Sequence, residues 1–145
     1  MKNSIWKQAI SAFVVLLLLG CGTTISQFDQ YAYTQTTSIK VDALHLVDKG
    51  TDDYNLHSPE ITNLITQIEK AYEYEKNRPK NIITTKMWEE IKNPNGKLLG
   101  GFLTFWKTQN EKGKKLNVKF VEDEHQLLDS AFDKIAQLES KKIKN

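Results

Sequence analysis

Ile61, Leu64, Ile65, Ile68, Ala71 and Tyr72 recur at steps of three and four residues. That spacing gathers side chains on one face of an α-helix and scatters them over both faces of a strand. Ser58-Pro59-Glu60 opens the stretch with a capping serine, a proline suited to the first helical position and an acid suited to the positive helix end. Arg78-Pro79 closes it by about Asn77, because a residue before proline avoids the helical region. The same steps return on either side. Phe28, Ala32, Gln35, Ile39, Ala43 and Leu46 mark a helix to about Lys49, with Gly50 in the place of a C-terminal glycine. Val41 and Leu44 fall off that face, so this helix needs neighbours on more than one side. Its Thr34–Ser38 run has poor helical propensity and must be supported by packing. Val121, Glu124, Leu128, Ala131, Ile135 and Leu138 mark a last helix from about Asn117 or Asp123 to Lys141, widened by Leu127 and Phe132. Lys141, Lys142 and Lys144 sit at its negative end.

Between these lies a less regular stretch. A helix begins near Thr84, with Met87, Trp88 and Ile91 on one side, and Asn93-Pro94-Asn95-Gly96 stops it with turn residues. Leu98 to Trp106 is apolar on nearly every side, with Gly100-Gly101 inside. We read a short buried helix to about Gln109, the glycines permitting close backbone approach. A β-hairpin is the rival reading: Phe102 to Thr108 as one strand, Glu111 to Lys115 as the turn, and Leu116, Val118 and Phe120 as the inward face of the other.

Residues 1–20 stand outside this pattern. Lys2 and Lys7 give a positive start, an apolar run from Ala9 to Leu19 follows, broken only by Ser11, and Gly20 precedes Cys21. This is the layout of a secretory signal peptide. The apolar run is about half the ~20 residues a spanning helix needs. Leu18, Gly20 and Cys21 resemble the lipobox of bacterial lipoproteins, with a leucine three residues before the cysteine and a small residue immediately before it. Leu19 is bulkier than the Ala or Ser usual between them. The resemblance covers about the first 23 residues and says nothing of the remainder. It implies diacylglycerol in thioether linkage on the Cys21 thiol and cleavage between Gly20 and Cys21. In many Gram-negative bacteria it also implies a further fatty-acyl chain, palmitate for example, on the new amine. One chain anchors marginally, at ~0.8 kcal/mol per buried methylene, whereas two or three on one residue hold firmly. Gly22 is not the aspartate linked to inner-membrane retention, so the resemblance favours an outer membrane in a Gram-negative host.

Removal of 20 of the 145 residues would leave 125, enough for one domain with a real core. Of 20 lysines and arginines two, Lys2 and Lys7, lie in the leader, so 18 remain against 18 acids. A neutral body with no basic stripe interleaved with aromatics gives no reason to expect nucleic acid. Cys21 is the only cysteine, so no internal disulfide forms.

Candidate chemistry is sparse. Asp42–His45 and Glu122–His125 each place a carboxylate three residues before a histidine, the spacing seen in carboxylate-bridged di-iron bundles. On a helical wheel both histidines lie to the side of the core direction or beyond and Glu122 lies nearly opposite it, which favours solvated surface over metal. No nucleophile elbow and no phosphate loop is present, and Asp52-Asp53 and Glu89-Glu90 read as solvated. No cofactor is expected. Trp88, Phe102, Phe105 and Trp106 lie within 19 residues. Core packing explains them, and an apolar patch for a partner helix, lipid or ligand, with at least one Trp ring open to solvent, is the functional alternative.

The expectation is a signal peptide over 1–20, a lipidated Cys21 and short tether over 21–27, and an all-α bundle of about four helices over 28–145. In that bundle the Phe28 helix is central, the last helix closes the core and the third is interrupted. The expected function is a non-catalytic, lipid-anchored cell-envelope module whose partner is an envelope protein or a small apolar ligand near the membrane. Two rivals are an envelope enzyme or metal-binding bundle using His45, His125 and their carboxylates, and a lipoprotein that blocks an outer-membrane receptor.

Overall fold

A computed structural model describes residues 25–142. Five α-helices and one 3₁₀ turn follow one another, and no strand occurs among the described residues. The helices are α1 (Gln30–Val47), α2 (Ser58–Lys76), α3 (Ile82–Lys92), α4 (Leu99–Glu111) and α5 (Val118–Ser140), with the 3₁₀ turn at Tyr54–His57. The interrupted third helix is thus two separate helices, which makes five rather than about four. None of the described helices is long and apolar enough to cross a membrane. The expected signal peptide over 1–20, with Gly20 and Cys21, lies outside the described residues.

The α1 helix is central, packed on α2 along one side and on α5 along the other, and α3 then packs on α2. Asp29 caps α1 by accepting the Ala32 N–H at 3.0 Å. Packing supports the weak run at Thr36. Thr36 is buried, and its hydroxyl donates to the Ala32 carbonyl at 2.8 Å. Ile39, Ala43, Leu46 and Val47 join Leu64, Ile68, Trp88, Leu128, Phe132 and Ile135 in one continuous core. Trp88 meets Phe132 edge-to-face at 6.0 Å inside it.

Two expected helix signals act differently. Ser58 does not cap α2. The 3₁₀ turn runs straight into the helix, and the Ser58 hydroxyl donates back to the Asn55 carbonyl at 3.0 Å. Gly50 does not take the left-handed backbone of a C-terminal glycine; among described glycines only Gly113 does, at φ 69°. Gly50 is small because α4 and α5 press on it: a β-carbon there would lie 3.0 Å from both Phe102 and Val121.

The Leu98–Trp106 stretch is helical, and the hairpin reading is overturned. Phe102, Leu103 and Trp106 are buried along one helical face, whereas alternation would have paired Phe102 with the exposed Thr104. The glycines let α4 dock on the turn before it. A β-carbon on Gly100 would stand 2.4 Å from the Lys92 carbonyl oxygen, and one on Gly101 2.0 Å from that of Gly96. Asn117, whose side chain accepts the Phe120 N–H at 2.7 Å, starts α5, so the earlier of its two expected starts holds.

Candidate functional site

Two regions of the bundle hold more than packing. The first is a cleft of about 580 Å³ between α2 and α4, closed at its base by the end of α3. Ile68, Ile91, Leu99 and Leu103 floor it, and Ile65 forms an exposed lip. It exists because α4 is seated by its glycines on the 93–96 turn and packs on α3 and the 3₁₀ turn, leaving a gap opposite α2. Three of the polar side chains around it are already engaged. Lys92 bridges to Glu69 at 2.7 Å and covers the Tyr72 ring at 4.1 Å. The Thr104 and Thr108 hydroxyls donate to carbonyls one turn back, at 2.9 and 2.8 Å. Burial, then the charge of Glu111, pushes the Tyr54 phenol above its ordinary pKa, so it faces the cleft as a neutral hydroxyl. Its volume falls in the ~300–1,000 Å³ range of ligand pockets.

The second region is an ionic cluster where the start of α1, the end of α2, the start of α3 and the end of α5 meet. Glu139 is 1% exposed, and Glu75 is also buried. The Arg78 guanidinium donates to Glu75 at 2.9 Å, to Glu139 at 2.9 and 3.0 Å, and to the Gln27 carbonyl at 2.6 Å. Buried Lys142 donates to Glu139 and, at 2.7 Å, to the Asn81 side-chain oxygen, which also accepts from the Ser26 hydroxyl at 2.9 Å. The Asp29 N–H donates to Glu139 at 2.7 Å, and the Tyr74 hydroxyl to Asp29 at 2.5 Å.

Burial opposes ionisation of both glutamates, and their neighbours separate them. At Glu75 burial prevails over Arg78 and Asn81, and its pKa is raised. At Glu139 burial is outweighed by hydrogen bonds from Arg78, Lys142 and the Asp29 N–H, and its pKa is lowered. Asp29 is likewise held low, its burial outweighed by Tyr74, the Ala32 N–H and Arg78. The hydrogen bond to Asp29, then burial and the Asp29 charge, pushes the Tyr74 phenol up to about 12. This cluster binds the incoming chain: the Ser26 N–H donates to the Lys80 carbonyl at 3.1 Å and Ser26 is buried, so the folded body begins before Phe28.

The residues singled out from sequence land elsewhere. Trp88, Phe102 and Trp106 are buried, so they do not form an open patch; volume and three-four spacing carry all three into the core. Trp106 donates its indole N–H to the Asp52 carbonyl at 3.2 Å, and that of Trp88 has no partner. Only Phe105, 43% exposed, reaches the surface, against Phe120 at 5.2 Å. Asp42 and His45 line a groove against α2, where Asp42 accepts from Gln67 at 3.1 Å. Glu122 and His125 line another at the start of α5, where His125 meets Asp48 at 2.6 Å. Since α1 is sandwiched between α2 and α5, the two pairs are kept apart. Among the described residues no group of three or more His, Cys, Asp or Glu is placed to hold a metal.

Sequence reading passed over Ile65, Lys92 and Leu103 as cleft residues and Glu75, Asn81 and Glu139 altogether, and it used Arg78 only as a helix stop and Lys142 only as a cation at a helix end. One signal was available: Glu75 and Glu139 sit at core positions of their helices, four residues beyond Ala71 and Ile135. No protein-family model, curated protein or solved structure matches the chain.

Proposed function

We propose that the chain is a lipid-anchored, non-catalytic protein of the bacterial cell envelope, a binding module held close to its membrane by acyl chains on Cys21. The observation that carries the binding half is the α2–α4 cleft, with its floor of Ile68, Ile91, Leu99 and Leu103. Lys92 with Glu69, and the Thr104 and Thr108 hydroxyls, are engaged with one another or with backbone, which supports binding by burial at the floor of the cleft. An acyl chain, or the apolar face of a partner's helix, has the right character. The anchoring half rests on the lipobox-like Leu18-Leu19-Gly20-Cys21, and an outer membrane is favoured by the same resemblance.

Mass spectrometry of the chain taken from bacterial membranes tests the anchor. Loss of residues 1–20 with gain of diacylglycerol is expected, and Cys21→Ala should abolish both. An anilinonaphthalene dye tests the cleft. Ile65→Glu, at the exposed lip, should weaken dye binding about tenfold, equivalent to about 1.4 kcal/mol. Unchanged affinity would remove the cleft as the binding site.

A further inference from the structure

The end of the bundle from which the Cys21 segment departs carries apolar side chains that the domain leaves open. Ile25 is 40% exposed, Ile82 69% and Ile83 60%. With Leu138 they line one shallow, mostly apolar hollow of about 410 Å³. The first turn of a helix is usually polar, where side chains serve its free amides. Here Asn81 is turned inward to Glu75, and two isoleucines follow it into solvent.

Charge at this end is sorted by depth. Its acids Glu75, Glu139 and Asp29 are paired within the cluster, and exposed Glu73 is paired with Lys76. Lys80 borders the hollow, Lys86 follows one turn along α3 and Lys141 ends α5. All three are exposed, and none makes an ion pair among the described residues. The result is an apolar centre with cations at its margin, the character of surfaces that settle into a lipid interface by apolar burial and attraction to anionic headgroups.

We propose that this face lies on the bilayer in which the Cys21 acyl chains are inserted. The inference rests on the lipidation proposed above, and chain length names the occupant. From Cys21 to Ile25 is four residue steps, at most ~14 Å at full extension. Each headgroup region is itself about 5–8 Å deep. A body pinned at Ser26 therefore has the Ile25, Ile82 and Ile83 face as its nearest apolar surface to the membrane. The 3₁₀ turn at the far end of the 18-residue α1 stands ~27 Å away.

Full-length protein, processed in cells, purified from membranes and reconstituted into phosphatidylethanolamine–phosphatidylglycerol vesicles, provides the test. Cys21 is the only cysteine and its thiol is consumed by lipid, so Ile82→Cys or Ile83→Cys supplies the single site for an environment-sensitive fluorophore. Leu56→Cys, exposed at the far end, is the control. All three positions are on the surface, and an unchanged helical circular-dichroism spectrum verifies folding. The labels at 82 and 83 are expected to shift to the blue and lose emission to brominated lipid, while the label at 56 does neither. A lipid-modified protein whose labels at 82 and 83 behave like that at 56 overturns the proposal and leaves the anchor intact. A response in native envelopes but not in pure lipid vesicles also overturns it, by making a protein the occupant. Absence of lipid mass on Cys21 removes the anchoring reading itself, a failure that mass spectrometry reports independently of the labels.

Discussion

Glu75 and Glu139 share one arginine and are both buried, yet proton binding should affect the fold oppositely at the two. Glu139 has its pKa lowered in the folded state, so its ionised form adds stability at neutral pH that is lost as pH falls through the lowered value. Asp29 acts in the same sense. Glu75 has its pKa raised, so its ionised form costs stability, and protonation restores it as pH falls through the raised value. Glu124, half-buried with one carboxylate oxygen enclosed and unpartnered, adds to that second sense. The melting temperature should therefore climb from neutral pH toward about pH 5 and fall below about pH 4, the ordinary carboxylate range. Glu75→Gln should flatten the climb and stay within about 1 kcal/mol of the parent at neutral pH. Glu139→Gln should cost about 3 kcal/mol, because it strips charge from a buried pair with two cations. Thermal melts of both variants from pH 3 to 8 check the signs.

Among the elements, α4 shows what the sequence could and could not say. Its helical nature was expected from the all-round apolar run of Leu98 to Trp106 and from glycines that make sense where two backbones meet, and the burial of Phe102, Leu103 and Trp106 on one face decides it against the hairpin. What it docks on was not, because the contacts are the carbonyls of Lys92, Asn93 and Gly96, and every residue has a carbonyl. Gly50 misled for the same reason: its position suggested a helix cap, while its smallness serves Phe102 and Val121. Gly101→Ala should destabilise by about 3 kcal/mol, since backbone rather than a flexible side chain occupies the space. Gly113→Ala should cost about 1–2 kcal/mol for a different reason. Nothing crowds it, but its backbone is left-handed. Urea unfolding separates the two: extra dye binding, as α4 lifts off its seat, is expected for the first and not for the second.

For the molecule as a whole, the order of the long helices was readable because amphipathic periodicity survives without knowledge of partners. The ionic cluster was not, because its members come together only in three dimensions. Arg78 and Glu139 are 61 residues apart, and Asp29 and Glu139 are 110 apart. Core positions mark Glu75 and Glu139 one at a time, but nothing along the chain names their partners. Their meeting makes Arg78 the joint of the bundle: one guanidinium holds the end of α2, the end of α5 and the segment arriving from Cys21. Arg78→Gln should therefore do more than lower stability by about 3–5 kcal/mol, the cost of leaving buried carboxylates short of a partner. It should release the segment locally, because the Gln27 carbonyl loses its donor and the Glu139 acceptor for the Asp29 N–H loses its brace. Hydrogen exchange distinguishes the two effects. Amides at Ser26 and Asp29 should lose more protection than those in the middle of α1, whereas a uniform loss would mean that Arg78 contributes global stability alone. Arg78→Lys should fall between, since an ammonium keeps the charge but cannot reach both glutamates and a carbonyl with one rigid fork.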